Sequence, residues 1–221
     1  MEIGLFDVLG PVMIGPSSSH TAGVVRLGNI TRQISGGNLA QVDFYLHGSL
    51  AKTYQGHGTD KALLGGVLGF KPDDERIADS FAIAGQQGIK YDFHTADLGN
   101  IHPNTVKILT KDTAGKTYEL IGSSVGGGKI LVSSLNGMQV EFNGQYPTII
   151  TSHLDRPGVL ANVSTALSRH GINIAFLKVF RQLRGSQACM VLESDQPVDE
   201  TILDELRKLP DIRTVTLVHV E

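Results

Sequence analysis

Pro147-Thr148-Ile149-Ile150-Thr151-Ser152-His153-Leu154-Asp155-Arg156-Pro157-Gly158-Val159-Leu160 decides the architecture of the last third of this 221-residue chain. Residues 147–154 are β-branched and apolar and read as a strand. Asp155-Arg156-Pro157-Gly158 then opens a helix, with Pro157 near its first position, where a missing N–H is harmless. Val159, Leu160, Val163, Ala166 and Leu167 share one face at helical spacing, and Gly171 supplies the stop. Residues 172–183 form a long strand that turns at Arg184-Gly185-Ser186 into a strand over 187–193. A second amphipathic helix covers 198–209, with Ile202, Leu203, Leu206 and Leu209 inward. A last strand runs over 212–220. The order β-α-β-β-α-β is the split βαβ, or ferredoxin-like, arrangement.

The residues before 145 are less regular. Ser17-Ser18-Ser19 offers N-cap hydroxyls to a helix carrying Val24, Val25, Leu27, Ile30 and Ile34, which ends at Gly36-Gly37. Val42, Phe44 and Leu46 alternate in a strand that runs into His47-Gly48-Ser49. Helices are expected over 59–68 and 73–86. Strands follow over 90–94, 105–111, 117–121, 129–135 and 139–143, the last two joined by an Asn136-Gly137 hairpin turn. The fold class is α+β, with one domain over 1–145 and a second over 146–221.

Composition narrows the function. Hydrophobic residues make up 41% and charged residues 19%, ordinary for a soluble globular protein. A net charge of −3 without a run of five like charges gives nucleic acid and anionic membranes no electrostatic handle. No stretch of 18 apolar residues is present, so no spanning helix is expected. The start, Met1-Glu2-Ile3-Gly4-Leu5-Phe6-Asp7, lacks the basic region of a signal peptide, and a cytoplasmic location is expected. A single cysteine, Cys189, builds no disulfide framework. Eight histidines without HxxxH or HExxH spacing leave no metal site expected in this chain.

Three polar motifs carry the chemistry: Gly15-Pro16-Ser17-Ser18-Ser19-His20-Thr21, Gly56-His57-Gly58-Thr59-Asp60-Lys61 and His102-Pro103-Asn104-Thr105. Each places hydroxyl, imidazole or amide groups where the backbone bends sharply, and together they suggest one polar pocket for a small anionic substrate. The triple serine at a helix start suits a carboxylate or phosphate, although a plain N-cap needs only one of the three. His57 between two glycines is suited to acid–base work near neutral pH, and equally to a solvated turn. Turn chemistry alone explains Pro103 and Asn104. Ser123-Ser124-Val125-Gly126-Gly127-Gly128 reads either as an anion cradle or as an ordinary glycine-rich turn.

Residues 15–21 (GPSSSHT), 46–62 (LHGSLAKTYQGHGTDKA), 101–105 (IHPNT) and 123–129 (SSVGGGK), in this order, resemble the iron–sulfur-dependent L-serine dehydratases. In that family the machinery is divided between a beta part, which this chain resembles, and an alpha part whose cysteines hold a [4Fe–4S] cluster. The resemblance implies a first domain like the allosteric substrate-binding domain of phosphoglycerate dehydrogenase. It implies an obligatory alpha partner, since one cysteine cannot supply about four cluster ligands. It further implies elimination of water from L-serine to give pyruvate and ammonia. His57 would be the α-proton base and His102 its competitor. Ser17, Ser18, Ser19, His20 and Thr21 would hold the substrate carboxylate and the cluster's surroundings, and Thr59, Asp60 and Asn104 would contact the ammonium or hydroxyl.

His153-Leu154-Asp155-Arg156-Pro157-Gly158-Val159-Leu160, with Gly171-Ile172-Asn173-Ile174 later, resembles an ACT domain. Such domains pair side by side and bind amino acids where the first strand meets the first helix. The resemblance implies self-association and an allosteric site at His153, Asp155, Gly158 and Asn173. The serine-sensing domain of phosphoglycerate dehydrogenase has Asn where Asp155 stands, so a ligand carboxylate there is expected to be repelled. Two other readings stand beside the lyase: a non-catalytic amino-acid sensor, and a cofactor-free hydrolase using one serine with His57 or His20.

Overall fold

The computed structural model describes residues 11–220, so the expectation for the extreme N-terminus lies outside the described residues. The chain divides into two compact units, Met1–Asn136 and Gly137–Glu221. The division falls in the hairpin turn, where Asn136 and Gly137 both take positive φ, 51° and 74°. The expected boundary at 145 differs from it by one hairpin strand.

The first unit is built around helix α1 (Ala22–Ile34), strand β1 (Leu39–Leu46), a short helix α2 (Gly48–Thr53) and helix α3 (Thr59–Leu68). Helix α2 was not anticipated from the sequence. Helices α1 and α3 pack with almost no gap between them. A Cβ on Gly66 would lie 2.1 Å from the Val25 carbonyl oxygen, and one on Gly28 would lie 2.6 Å from that of Leu63. Only glycine permits that approach, which brings the starts of both helices near one another. The single helix expected over 73–86 is two elements, a 3-10 turn Glu75–Asp79 and helix α4 (Ser80–Gln86). The Ser80 hydroxyl donates to the carbonyls of Ile77 (2.7 Å) and Lys61 (3.0 Å), competing with the helical ladder at the junction.

The sheet that begins in this unit continues with β2 (Lys90–Thr95), β3 (Thr105–Asp112), β4 (Thr117–Gly126) and β5 (Lys129–Leu135), and its last strand, β6 (Met138–Phe142), falls past the division. Its spatial order is β2-β1-β3-β4-β5-β6, with β1 and β2 parallel and β1–β3, β3–β4 and β4–β5 antiparallel. Val42, Phe44 and Leu46 are fully buried, as their alternation requires. Strand β4 runs five residues beyond its expected end, so Ser123 and Ser124 are strand residues rather than part of a loop.

The second unit contains β7 (Thr148–Leu154), α5 (Val159–Arg169), β8 (Ile174–Arg181), β9 (Gln187–Ser194), α6 (Glu200–Arg207) and β10 (Ile212–Val218). The antiparallel sheet has the order β10-β7-β9-β8, which realises the expected β-α-β-β-α-β arrangement. Its core joins Val163 and Leu167 of α5 to Ile202 and Leu206 of α6 and to Ile149 and Leu192 of the sheet. Two details differ from expectation. Helix α5 starts at Val159 because Gly158 caps it at φ 93°, which leaves Pro157 outside the helix. Leu160 is exposed rather than inward.

Candidate active site

The serine motif does not cap α1. Thr21 is the N-cap and its side chain makes no capping bond. The carbonyls of Ser17 and Ser18 accept from the backbone N–H groups of Thr21 and Gly23, at 2.8 and 3.0 Å. The backbone turn therefore closes mainly on its own carbonyls, with the Ser17 hydroxyl also accepting from the His20 backbone N–H at 3.4 Å. The hydroxyls of Ser17 and Ser19 lie 3.2 and 3.0 Å from Nδ1 of His20. The Ser18 hydroxyl has no bond described.

His20 meets the second motif directly, for its ring centroid is 4.9 Å from that of His57. Burial, reinforced by this neighbour, lowers the His20 pKa below its ordinary value, so the ring is neutral at pH 7. Nδ1 of His57 lies 3.2 Å from the Thr53 carbonyl oxygen. A carbonyl only accepts, so Nδ1 carries the proton and Nε2 presents the lone pair.

The third motif arrives through strand register. Leu46 of β1 pairs with Val106 of β3, and His47 N–H donates to the Thr105 carbonyl at 3.0 Å. Gly48 (φ 58°) then lets the chain pass so close to Pro103 that a Cβ would sit 2.5 Å from its carbonyl oxygen. Ser49 N–H donates to that same oxygen at 2.8 Å, while the Ser49 hydroxyl lies 3.4 Å from Nε2 of His20. Ser49 thus joins the first and third motifs. It was missed as a site residue because its place depends on pairing between strands far apart in sequence, although it lies inside a motif already noted.

His102 is exposed, and its Nδ1 accepts from Asn104 N–H at 3.1 Å. The neutral ring consequently carries its proton on Nε2 and presents a donor, the opposite of His57. Asn104 is held from both sides, since its carbonyl accepts from Ser124 N–H at 2.9 Å. Ser123 and Thr105 share a 2.7 Å hydroxyl contact behind it. Residues 123–124 therefore brace the Asn104 loop, and no anion cradle is needed to explain them. Oδ1 of Asn104 and the hydroxyls of Thr21, Thr59 and Ser124 are buried with no hydrogen-bond partner. Unpaired buried polar atoms are costly, and among the described residues three of these four belong to the motifs themselves, which makes them candidates to meet a polar ligand. Asp60 is half-buried, and burial raises its carboxyl pKa.

In the second unit a cavity of about 420 Å³ is lined by His153, Asp155, Arg156, Val159, Leu160, Val179, Arg181 and Met190. Gly158 and Asn173 do not line it. Asn173 bonds Asp195 (2.5 Å) and the Gln196 side chain (2.7 Å) instead. The expected repulsion by Asp155 is offset, because its carboxylate accepts from Gly185 N–H (3.0 Å) and Arg181 (2.9 Å). These partners hold its pKa below the usual range. His153 is buried, and burial lowers its pKa.

Residues 4–87 match the serine dehydratase beta chain family and residues 148–211 the ACT domain family. The chain is 45% identical to a probable L-serine dehydratase beta chain of Bacillus subtilis over 214 residues, covering 97% of each. It is 42% identical to an L-serine dehydratase beta chain of Peptoniphilus asaccharolyticus over 220 residues, covering 99% of each. A D-3-phosphoglycerate dehydrogenase of Methanocaldococcus jannaschii is 27% identical over 88% of this chain and 36% of its own length. With full-length matches of that identity, the chain belongs to the family of L-serine dehydratase beta chains, with an ACT domain at its C-terminal end.

Proposed function

We propose that this chain is the base-bearing half of a cytoplasmic L-serine dehydratase, completed by a partner chain whose cysteines hold a [4Fe–4S] cluster. The observation that carries the reading is the His20–His57 pair, 4.9 Å apart, reached by hydroxyls of two motifs, with unpaired buried polar atoms in the motifs themselves.

This chain's own residues do not fit the cluster. Its one cysteine, Cys189, is buried in the second unit, and burial pushes its thiol up to about 11, which keeps it protonated. Among the described residues no three His, Cys, Asp or Glu side chains are grouped to hold a metal ion. The proposal therefore places the cluster on the partner and assigns to this chain the handling of protons and substrate.

Nε2 of His57 takes the α-proton of serine. The electron pair of that C–H bond forms the Cα–Cβ double bond as the Cβ–O bond breaks and hydroxide leaves, which with a proton is water. The resulting 2-aminoacrylate tautomerises to an imine, and a second water hydrolyses it to pyruvate and ammonia. Oδ1 of Asn104 is the acceptor for the substrate ammonium, and Thr21 and Thr59 offer hydroxyls to its polar groups. Neutral His20 keeps a second positive charge away from His57 as the latter becomes protonated. His102, which presents a donor, is the weaker candidate for the base.

The ACT unit is read as regulatory, with its cavity at the first strand–helix junction as the ligand site. Self-association through the edge strand β8 belongs to the same reading, since Phe176 and Val179 are exposed there. Among the described residues no helix is long and apolar enough to cross a membrane.

The test is anaerobic co-production with the cysteine-bearing partner, followed by a pyruvate assay on L-serine with each chain alone beside it. Activity confined to the complex is expected. Activity from this chain alone would favour the hydrolase, and serine binding without turnover in the complex would favour the sensor.

A further inference from the structure

The two histidines are held by one short segment. Ser49 and Thr53 lie four residues apart on α2, one turn of helix, and the Thr53 hydroxyl donates to the Ser49 carbonyl at 2.9 Å. The Thr53 carbonyl fixes the proton of His57 on Nδ1, and the Ser49 hydroxyl is the group described beside Nε2 of His20. Ser49 is itself anchored by its N–H on the Pro103 carbonyl. The His20 ring thus has hydroxyls at both ends, Ser17 and Ser19 at Nδ1 and Ser49 at Nε2, and it faces His57. A ring held at both nitrogens cannot tilt, whereas one held only at Nδ1 can swing about that end.

We propose that Ser49 is a positioning residue of the dehydratase site, fixing the orientation of His20 and through it the ring packed against the base. The proposal rests on the dehydratase reading for its kinetic consequence, but the Ser49–His20 contact stands independently of it. The 3.4 Å separation is long, as catalytic contacts often are without substrate.

The test uses Ser49→Ala and Ser49→Thr in the full chain assembled with its partner. Loss of one orienting hydrogen bond should lower kcat about tenfold in Ser49→Ala, with KM within about twofold. Melting temperature and assembly should be unchanged, and Ser49→Thr, which keeps the hydroxyl, should recover most of the rate. A wild-type rate in Ser49→Ala overturns the proposal. So do equal losses in both variants with a lowered melting temperature, because that pattern marks packing. Imidazole 15N spectra of the full chain alone provide an arm without turnover. Ser49→Ala should move the His20 nitrogens and leave Nδ1–H of His57 in place; unmoved His20 signals overturn the proposal. A wild-type complex that never turns over serine removes the dehydratase reading, and the spectra then decide the positioning claim alone.

Discussion

The two candidate sites treat their polar residues in opposite ways. In the three motifs and strand β4, four buried side-chain atoms (on Thr21, Thr59, Asn104 and Ser124) lack partners among the described residues. Around the ACT cavity, Asp155 is committed to Arg181 and Gly185, and Arg156 to Asp211. A ligand reaching the first region satisfies groups that are already buried and unpaired. A ligand reaching the second must displace bonds already made, so its affinity is a difference between two sets of contacts. On the proposed reading, the first region suits chemistry and the second a response that can be tuned.

The sharpest way to break this contrast is to remove the base. His57→Ala in the assembled enzyme should cut kcat by roughly 10²–10⁴, the range for a general base, with little change in thermal stability. A near-normal rate would return the histidine pair to mere structure. Gly48→Ala comes next, because it forces a Cβ against the Pro103 carbonyl at positive φ. It should destabilise the chain by about 1–2 kcal/mol and reduce turnover together, measured by denaturant melts and by the pyruvate assay. Normal stability and turnover would show that the three motifs do not depend on that approach.

His153 gives a pH test of the second region. Its folded pKa is lowered by burial, so the unfolded state binds the extra proton. Its cost to stability is absent above the ordinary histidine value of about 6.5 and grows as pH falls below it. The stability difference between His153→Gln and wild type should therefore shift in favour of the variant from about pH 6.5 downward. A difference independent of pH would show that His153 is not held neutral. The smallest effect is expected at Asp155→Asn. Basal turnover should be unchanged within about twofold, as expected of an exposed ion pair outside the reacting groups, while ligand affinity at the ACT cavity changes. A large loss of basal turnover would couple that cavity to the chemistry itself.

Much of the fold could be read before the structure, because the second unit opens on a β-branched, apolar strand that is buried nearly throughout, and the 3.6-residue spacing of Val159, Val163, Ala166 and Leu167 marks its first helix. Leu160 satisfied the same period and is exposed, which shows that spacing alone does not say which neighbour is present. The site was legible as three separate motifs and not as one place. Their meeting depends on the β1–β3 register, which sets Gly48 and Ser49 against Pro103. The tautomers were out of reach for the same reason. Thr53 O decides one and Asn104 N–H the other, and both are backbone groups whose direction no residue name reveals. The triple serine suggested a helix cap by composition, but the backbone turn at Ser17–Thr21 closes mainly on its own carbonyls and leaves two of the hydroxyls to His20.

The most direct test follows the α-proton itself. L-serine carrying deuterium at Cα is given to the complete two-chain enzyme containing either wild-type or His57→Ala chain, and release of the label to water is timed at saturating substrate. The account predicts release with pyruvate formation in the wild type, and almost none in a variant that still assembles and binds serine. Release at the wild-type rate from His57→Ala would place the base elsewhere and contradict the central claim.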